Sequence, residues 1–287
     1  MTVNIVKRNG DVVPFDPLRV KKSILRAGAS EEIVSEVMAR VIPRVQEGMM
    51  TREIYKIAHE ELKKADTCFA CRFNLRPAIL KFGPAGFLFE KYVAAILKGH
   101  HYEAHVPEHE LQGSCVRHEV DVIAEKDGRR VFIEAKFRND YRDSVNLKDT
   151  MATWSRFLDL VDGAAVGKCE HLDEVWIVTN ARFSDRAKQF GVCKGVNMIG
   201  WNFPPERSFA SLVDHTMLYP VTVIDDLTQS EIDRLAEADL MLCKEVAEIE
   251  PEDLARRIDV SLERAQELVE ISSKVSDSSH GHSNSQK

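Results

Sequence analysis

Residues 119–137 read EVDVIAEKDGRRVFIEAKF, and this stretch limits the fold more than any other part of the 287-residue chain. Two runs rich in Val, Ile and Phe flank Asp127-Gly128, a dipeptide suited to the two-residue turn of a β-hairpin. Upstream, GFLFEKYVAAILKGHH has the pattern of a strongly apolar helix with Glu90 near its start. Downstream come a helix near Leu147 to Val161, the strand EVWIVTN, a helix over RFSDRAKQFG, the strand VNMIGW and a short helix over SFASLVDH. Apolar strands alternating with helices argue for an α/β layer architecture.

The flanks differ from this block, which sets domain boundaries at 1–83, 84–215, 216–275 and 276–287. The first segment carries 15 Lys and Arg against 10 Asp and Glu, a net charge of +5; the second nets −3 and the third −9. A phosphate-bearing partner therefore suits the first segment and is disfavoured by the third. The first segment reads as a hairpin, VNIVK and VVPF around Asn9-Gly10, followed by helices. Asp16-Pro17 starts the first helix; others run from Glu31 to Gln46, from Thr51 to Lys64 and from about Phe69 to Phe82. The third segment is helical near 229–238, 251–258 and 261–273. The tail SDSSHGHSNSQK is polar and expected to be disordered.

No apolar run approaches the roughly 20 residues of a membrane-spanning helix. The opening MTVNIVKRNG lacks a signal peptide's apolar core, so no membrane partner and a cytoplasmic location are expected. Of six cysteines, only Cys68 and Cys71 are close in sequence. They fall on a helix without a second pair at zinc-ligand spacing, and read as buried or idle thiols.

The central hairpin carries the chemistry. Glu134 and Lys136 are two residues apart on one strand and so point to one face. Asp121, on the neighbouring strand, can be brought to the same end by cross-strand pairing. Two converging carboxylates make a hard oxygen site suited to Mg²⁺. An adjacent lysine can orient water and stabilise charge developing on a phosphate. Spacing alone also permits an amphipathic edge strand whose Glu and Lys face solvent as an ordinary pair. His118, three residues before Asp121, is either a phosphate contact or a hydrogen-bonded structural histidine. Thr179 and Asn180, at a strand end, are candidate DNA contacts or caps of the following helix. GAAVGKC at 163–169 is one residue short of a P-loop and follows a helix, so it is set aside.

In order, GFLFEKYVAAIL, HEVDVIA, FIEAKF, VWIVTN and IGWNFP resemble the PD-(D/E)xK nuclease superfamily, specifically its Mrr-like restriction-endonuclease branch. The resemblance spans about residues 84–215. It implies a DNA endonuclease with a restriction-endonuclease-like α/β fold, a mixed central sheet flanked by helices, in which Glu90, Asp121 and Glu134 organise Mg²⁺ or Mn²⁺ and Lys136 serves the attacking water. Val120 stands where the motif name has proline.

VKRNGDVVPFDPLRVKKSILRAG, with TREI and ACRFNLRPAI, resembles the ATP-cone domain, a small, mainly α nucleotide-binding module with a β-hairpin. It implies ATP or dATP as an effector, contacted by Val6, Lys7, Arg8, Arg19 and Thr51. Phe73 replaces a tyrosine often found in that module. A basic DNA-docking module is the other reading of this segment. PEDLARRIDVSLERAQELVEIS resembles half of a helix-hairpin-helix element without its glycines, which points to protein interaction or dimerisation. Together these imply a nucleotide-regulated, Mg²⁺-dependent deoxyribonuclease of defence or DNA repair, with a homodimer expected by analogy. The alternative is a non-catalytic, nucleotide-sensing DNA-binding regulator.

Overall fold

Ile5 pairs with Val13 in the antiparallel hairpin formed by β1 (Asn4–Val6) and β2 (Val12–Pro14). The computed structural model describes residues 3–7, 10–85, 89–140 and 143–278, so Asn9 of the expected turn lies outside the described residues. Asp16 then caps α1 (Pro17–Arg26), its carboxylate accepting from Leu18 N with Pro17 in the first turn. Helix α2 (Glu31–Val41) stops short of the expected Gln46 and tightens into a 3-10 turn over Ile42–Arg44. Pro43 in that turn has no N–H to continue the helix. Helix α3 (Thr51–Ala65) follows as the sequence pattern predicts.

The expected single helix from Phe69 to Phe82 is broken into α4 (Thr67–Phe73), α5 (Leu75–Leu80) and the turn α6 (Phe82–Ala85). Pro77 cannot donate to the Phe73 carbonyl four residues back. That carbonyl accepts instead from the Tyr55 hydroxyl at 2.7 Å.

After α7 (Phe89–Gly99) come β3 (Glu103–His105), the short pair β4 (Leu111–Gln112) and β5 (Arg117–His118), β6 (Val122–Lys126) and β7 (Arg129–Lys136). Asp127 and Gly128 join β6 to β7 with φ of 54° and 71°, the two positive values that a type I′ turn requires. Then follow β8 (Ser144–Val145), α8 (Leu147–Ala165), β9 (Glu174–Thr179), β10 (Arg182–Phe183), α9 (Asp185–Lys194), β11 (Asn197–Ile199) and α10 (Phe209–Thr216). The main sheet has the order β11-β9-β7-β6-β3. β7, β9 and β11 run parallel, with α8 and α9 as crossovers, while β6 and β3 are antiparallel additions. Phe132, Ile177 and Met198 of this sheet share a core with Phe157 and Leu160 of α8 and Ala187 of α9. The mixed sheet flanked by helices bears out the fold expected from the sequence.

The remaining helices are α11 (Gln229–Glu237), α12 (Cys243–Ala247), α13 (Pro251–Ile258) and α14 (Leu262–Ser276). They belong to the same compact unit as the N-terminal helices: one unit comprises Met1–Lys81 with Tyr219–Lys287, the other Phe82–Leu218. Helix α14 packs on α12, α13 and α4. In the hairpin between α13 and α14, Asp259 takes the left-handed conformation where a glycine would be usual. The carbonyls of Ile258 and Asp259 accept from Arg234. No helix among the described residues is long and apolar enough to cross a membrane.

Candidate active site and nucleotide pocket

The register of β6 and β7 decides where the acidic pair sits. Val122 pairs with Ile133, so Asp121, one residue earlier, enters the sheet beside Glu134. Asp121 Oδ2 accepts a hydrogen bond from Ala135 N at 2.7 Å, which fixes the carboxylate against β7. By strand alternation Glu134 and Lys136 share the face of Phe132, whose ring stacks on Phe157 of α8.

Glu134 is 2 % exposed, and a buried carboxylate demands compensation. Lys136 Nζ pairs with its Oε1. Arg156 of α8 lies 2.5 Å from its Oε2 and also donates to the carbonyl of Glu119. One guanidinium thus ties both segments that carry the carboxylates. Burial, then the charge of Glu134, pushes the Asp121 carboxyl up to about 6, although Ala135 N–H and Lys136 oppose the rise; Glu90 adds to it. A buried carboxylate at Glu134 beside a part-buried one whose pKa it raises is the condition a divalent cation relieves. The donor set therefore fits Mg²⁺.

The structure brings Asp121, Glu134 and Lys136 together. Glu90, on α7, is near enough for its charge to act on Asp121. Among the described residues, however, no three His, Cys, Asp or Glu side chains converge as a formed metal-binding group. Asp121 and Glu134 are the carboxylates that meet on the paired strands, and Glu90 reaches Asp121 through its charge.

Thr179 and Asn180 are corrected from DNA contacts to internal supports, because both are buried. Thr179 Oγ1 donates to the Lys136 carbonyl at 2.5 Å. Asn180 bridges Arg138, accepting from its N at 2.8 Å and donating to its carbonyl at 2.9 Å. Together they clamp the backbone on either side of Phe137, behind Lys136. His118 likewise faces the protein: its Nε2 lies 2.8 Å from Asp159 Oδ2. Burial pushes the Asp159 carboxyl up. The hydrogen bonds it accepts from Cys115, His118 and Val116 outweigh that and hold it well below the usual range. Arg156 is not foreseen from the sequence, since nothing in the spacing of Asp121, Glu134 and Lys136 refers to it. The one signal for it is an arginine on the inward side of an amphipathic helix, beside Phe157.

The N-terminal unit holds a cavity of about 360 Å³ whose lining includes Lys7, Arg19, Thr51, Tyr55 and Phe73. Lys7, Arg19 and Thr51 were expected to contact nucleotide, and here they border one space. Val6 does not line it; its amide donates to Met49 O at 3.0 Å and so ties the hairpin to the start of α3. Arg8 lies outside the described residues. Tyr55 and Phe73 were not foreseen as lining residues. Their rings stack with centroids 4.5 Å apart, an aromatic wall suited to a base, while Lys7, Arg19 and the N-terminus of α3 suit phosphates.

Comparison with known proteins matches three families in succession. Residues 3–72 match the ATP cone domain, 85–200 the restriction endonuclease family of Mrr type, and 219–275 the AF1548-like C-terminal family. A protein of Archaeoglobus fulgidus, described only as uncharacterized, is 35% identical over 165 residues, or 58% of this chain and 89% of its own length. The crystal structure of the protein of unknown function AF1548 is similar at 35% identity and a TM-score of 0.54, covering 65% of this chain and 96% of that one.

Proposed function

This chain belongs to the AF1548-like family, with an ATP cone and a restriction-endonuclease domain, and on that premise we propose that it is a cytoplasmic, nucleotide-regulated, Mg²⁺-dependent DNA endonuclease. The observation that carries this reading is the convergence of part-buried Asp121 and buried Glu134 with Lys136 where β6 and β7 meet in the middle of the sheet. Hydrolysis of a phosphodiester needs a water aligned on phosphorus and positive charge for the pentacovalent transition state. Asp121 and Glu134 would hold Mg²⁺, which supplies Lewis acidity at the phosphate. The Lys136 ammonium, part-exposed beside Glu134, orients the water and meets charge developing on the phosphoryl oxygens. The Thr179 and Asn180 clamps keep the Lys136 backbone from drifting with DNA binding.

ATP or dATP in the cavity of the N-terminal unit is the effector on this reading. A homodimer is the assembly a two-strand cut calls for, and defence or DNA repair is the setting.

A second reading, a DNA-binding regulator that senses nucleotide, draws on the engagement of both Glu134 oxygens by Lys136 and Arg156. Supercoiled plasmid incubated with Mg²⁺ or Mn²⁺, with and without ATP, separates the two. Nicking or linearisation by the native chain that EDTA and Lys136→Ala both abolish supports the enzyme. Equal background from the native chain and the variant supports the regulator.

A further inference from the structure

The nucleotide cavity is built against elements that also hold the C-terminal segment. Helix α3 begins in the cavity with Thr51, Ile54 and Tyr55 and continues one turn to His59 and two turns to Lys63. His59 stacks on Tyr55 and on Phe73, with centroids 6.5 Å and 6.3 Å away. Its Nε2 lies 3.2 Å from Asp225 Oδ2, within ion-pair range but not aligned as a hydrogen bond. Lys63 Nζ lies 3.6 Å from the same oxygen. Asn74, the residue after Phe73 at the α4–α5 break, donates to Asp225 Oδ1 at 2.8 Å.

On the other side of Phe73, the buried Arg72 donates to the carbonyls that end α14: Val275 O at 3.1 Å, Lys274 O at 3.3 Å and Asp277 O at 2.6 Å. Phe73 therefore has one face on the cavity, and its two chain neighbours grip opposite ends of the C-terminal segment. Close-packed aromatic stacks do not yield continuously; displacement of one member is passed to the next.

We infer that the C-terminal segment 219–278 is the receiver of the nucleotide signal, reached from the cavity through the Tyr55–Phe73–His59 stack and the paired grips of Asn74 on Asp225 and Arg72 on α14. This rests on the reading of the cavity as an ATP site and adds to it which part of the chain responds. A ligand that presses on Tyr55 and Phe73 rotates His59 toward alignment with Asp225 and shifts the α4 end that carries Arg72. Coupling of this kind is reciprocal, so loosening the Asp225 contacts must alter nucleotide affinity although Asp225 does not line the cavity.

Hydrogen exchange on the full chain, with and without ATP, tests this directly, with nucleotide affinity measured in parallel by calorimetry. The expected result is slower exchange at 51–55 and also at 219–228 and 270–276 in the native chain. In Asp225→Asn the slowing at 51–55 should persist, the slowing at 219–228 should disappear, and ATP affinity should change by at least about 5-fold. Asn74→Ala, which removes a single hydrogen bond, should give the same pattern in weaker form and guards against misfolding of the first variant. ATP protection confined to 51–55 in the native chain, or affinity unchanged in both variants, overturns the inference while leaving the nucleotide site intact. Absence of ATP binding by calorimetry overturns the site itself, and the inference with it.

Discussion

Arg156 and Glu134 meet across the interface of α8 and β7 at 2.5 Å, and the same guanidinium holds the backbone of Glu119, two residues before Asp121. The acidic pair thus depends on a helix that contributes no carboxylate to it. Arg156→Met leaves a buried carboxylate with Lys136 as its remaining partner. Losing one partner of a buried ion pair costs about 3 kcal/mol, or a fall in melting temperature of about 6–12 °C. In the Glu134→Gln background the same substitution should cost less than half as much. Thermal melts of the four chains in this double-mutant cycle measure the difference.

Gly163 on α8 packs against the β4 end so closely that an added Cβ would meet Gln112 O and Gly113 C at 2.8 Å. Those neighbours are backbone and cannot turn aside. Gly163→Ala gains about 1 kcal/mol of helix propensity, yet overpacking typically costs about 1–3 kcal/mol. The prediction is a net loss in chemical denaturation. At Gly191 the nearest atom is the Met198 sulfur at 2.4 Å; that side chain can move, so Gly191→Ala should cost less.

Asp159 stabilises the 113–118 loop in its ionised form, its carboxyl being held below the usual range by the groups that bond to it. A depressed folded-state value contributes stability that is present above the unfolded carboxylate's value of about 3.9 and is lost as pH falls through the folded one. The stability advantage of the native chain over Asp159→Asn should be constant above about pH 5 and shrink only in stronger acid. Paired urea titrations from pH 7 to pH 3 give the comparison.

The cysteines should divide by reactivity. Cys193 and Cys115 are exposed, whereas Cys68, Cys71 and Cys243 are buried. Burial pushes the Cys68 thiol up to about 11 and Cys71 up to about 12. The Cys115 thiol is raised chiefly by its hydrogen bond to Asp159. Since the thiolate is the nucleophile, iodoacetamide at pH 7.5 should label Cys193 first and Cys115 more slowly. The three buried thiols should be labelled only after unfolding. Peptide mapping by mass spectrometry reads the order.

Local pattern makes the β6–β7 hairpin, and with it the meeting of Asp121, Glu134 and Lys136, legible in the amino-acid sequence. A two-residue turn fixes register, and register fixes which side chains face one another. Arg156 is not legible in the same way, because its contacts lie 22 and 37 residues away in sequence and α8 could have packed with another rotation. Thr179 and Asn180 mislead because a polar pair at a strand end looks alike whether it faces solvent or bonds to the neighbouring chain segment. The packing of α14 on α4 is a long-range choice settled by Arg72 and the carbonyls at the α14 terminus, which no periodicity records.

The central claim is that Asp121, Glu134 and Lys136 act together on a phosphodiester. Single-turnover cleavage of end-labelled DNA in Mg²⁺ tests it most directly, comparing the native chain with Asp121→Asn, Glu134→Gln and Lys136→Ala, and with Cys193→Ser as a surface control. The account predicts losses of at least about 100-fold in all three site variants and an unchanged rate in the control. Folded site variants that cut at the native rate would contradict it.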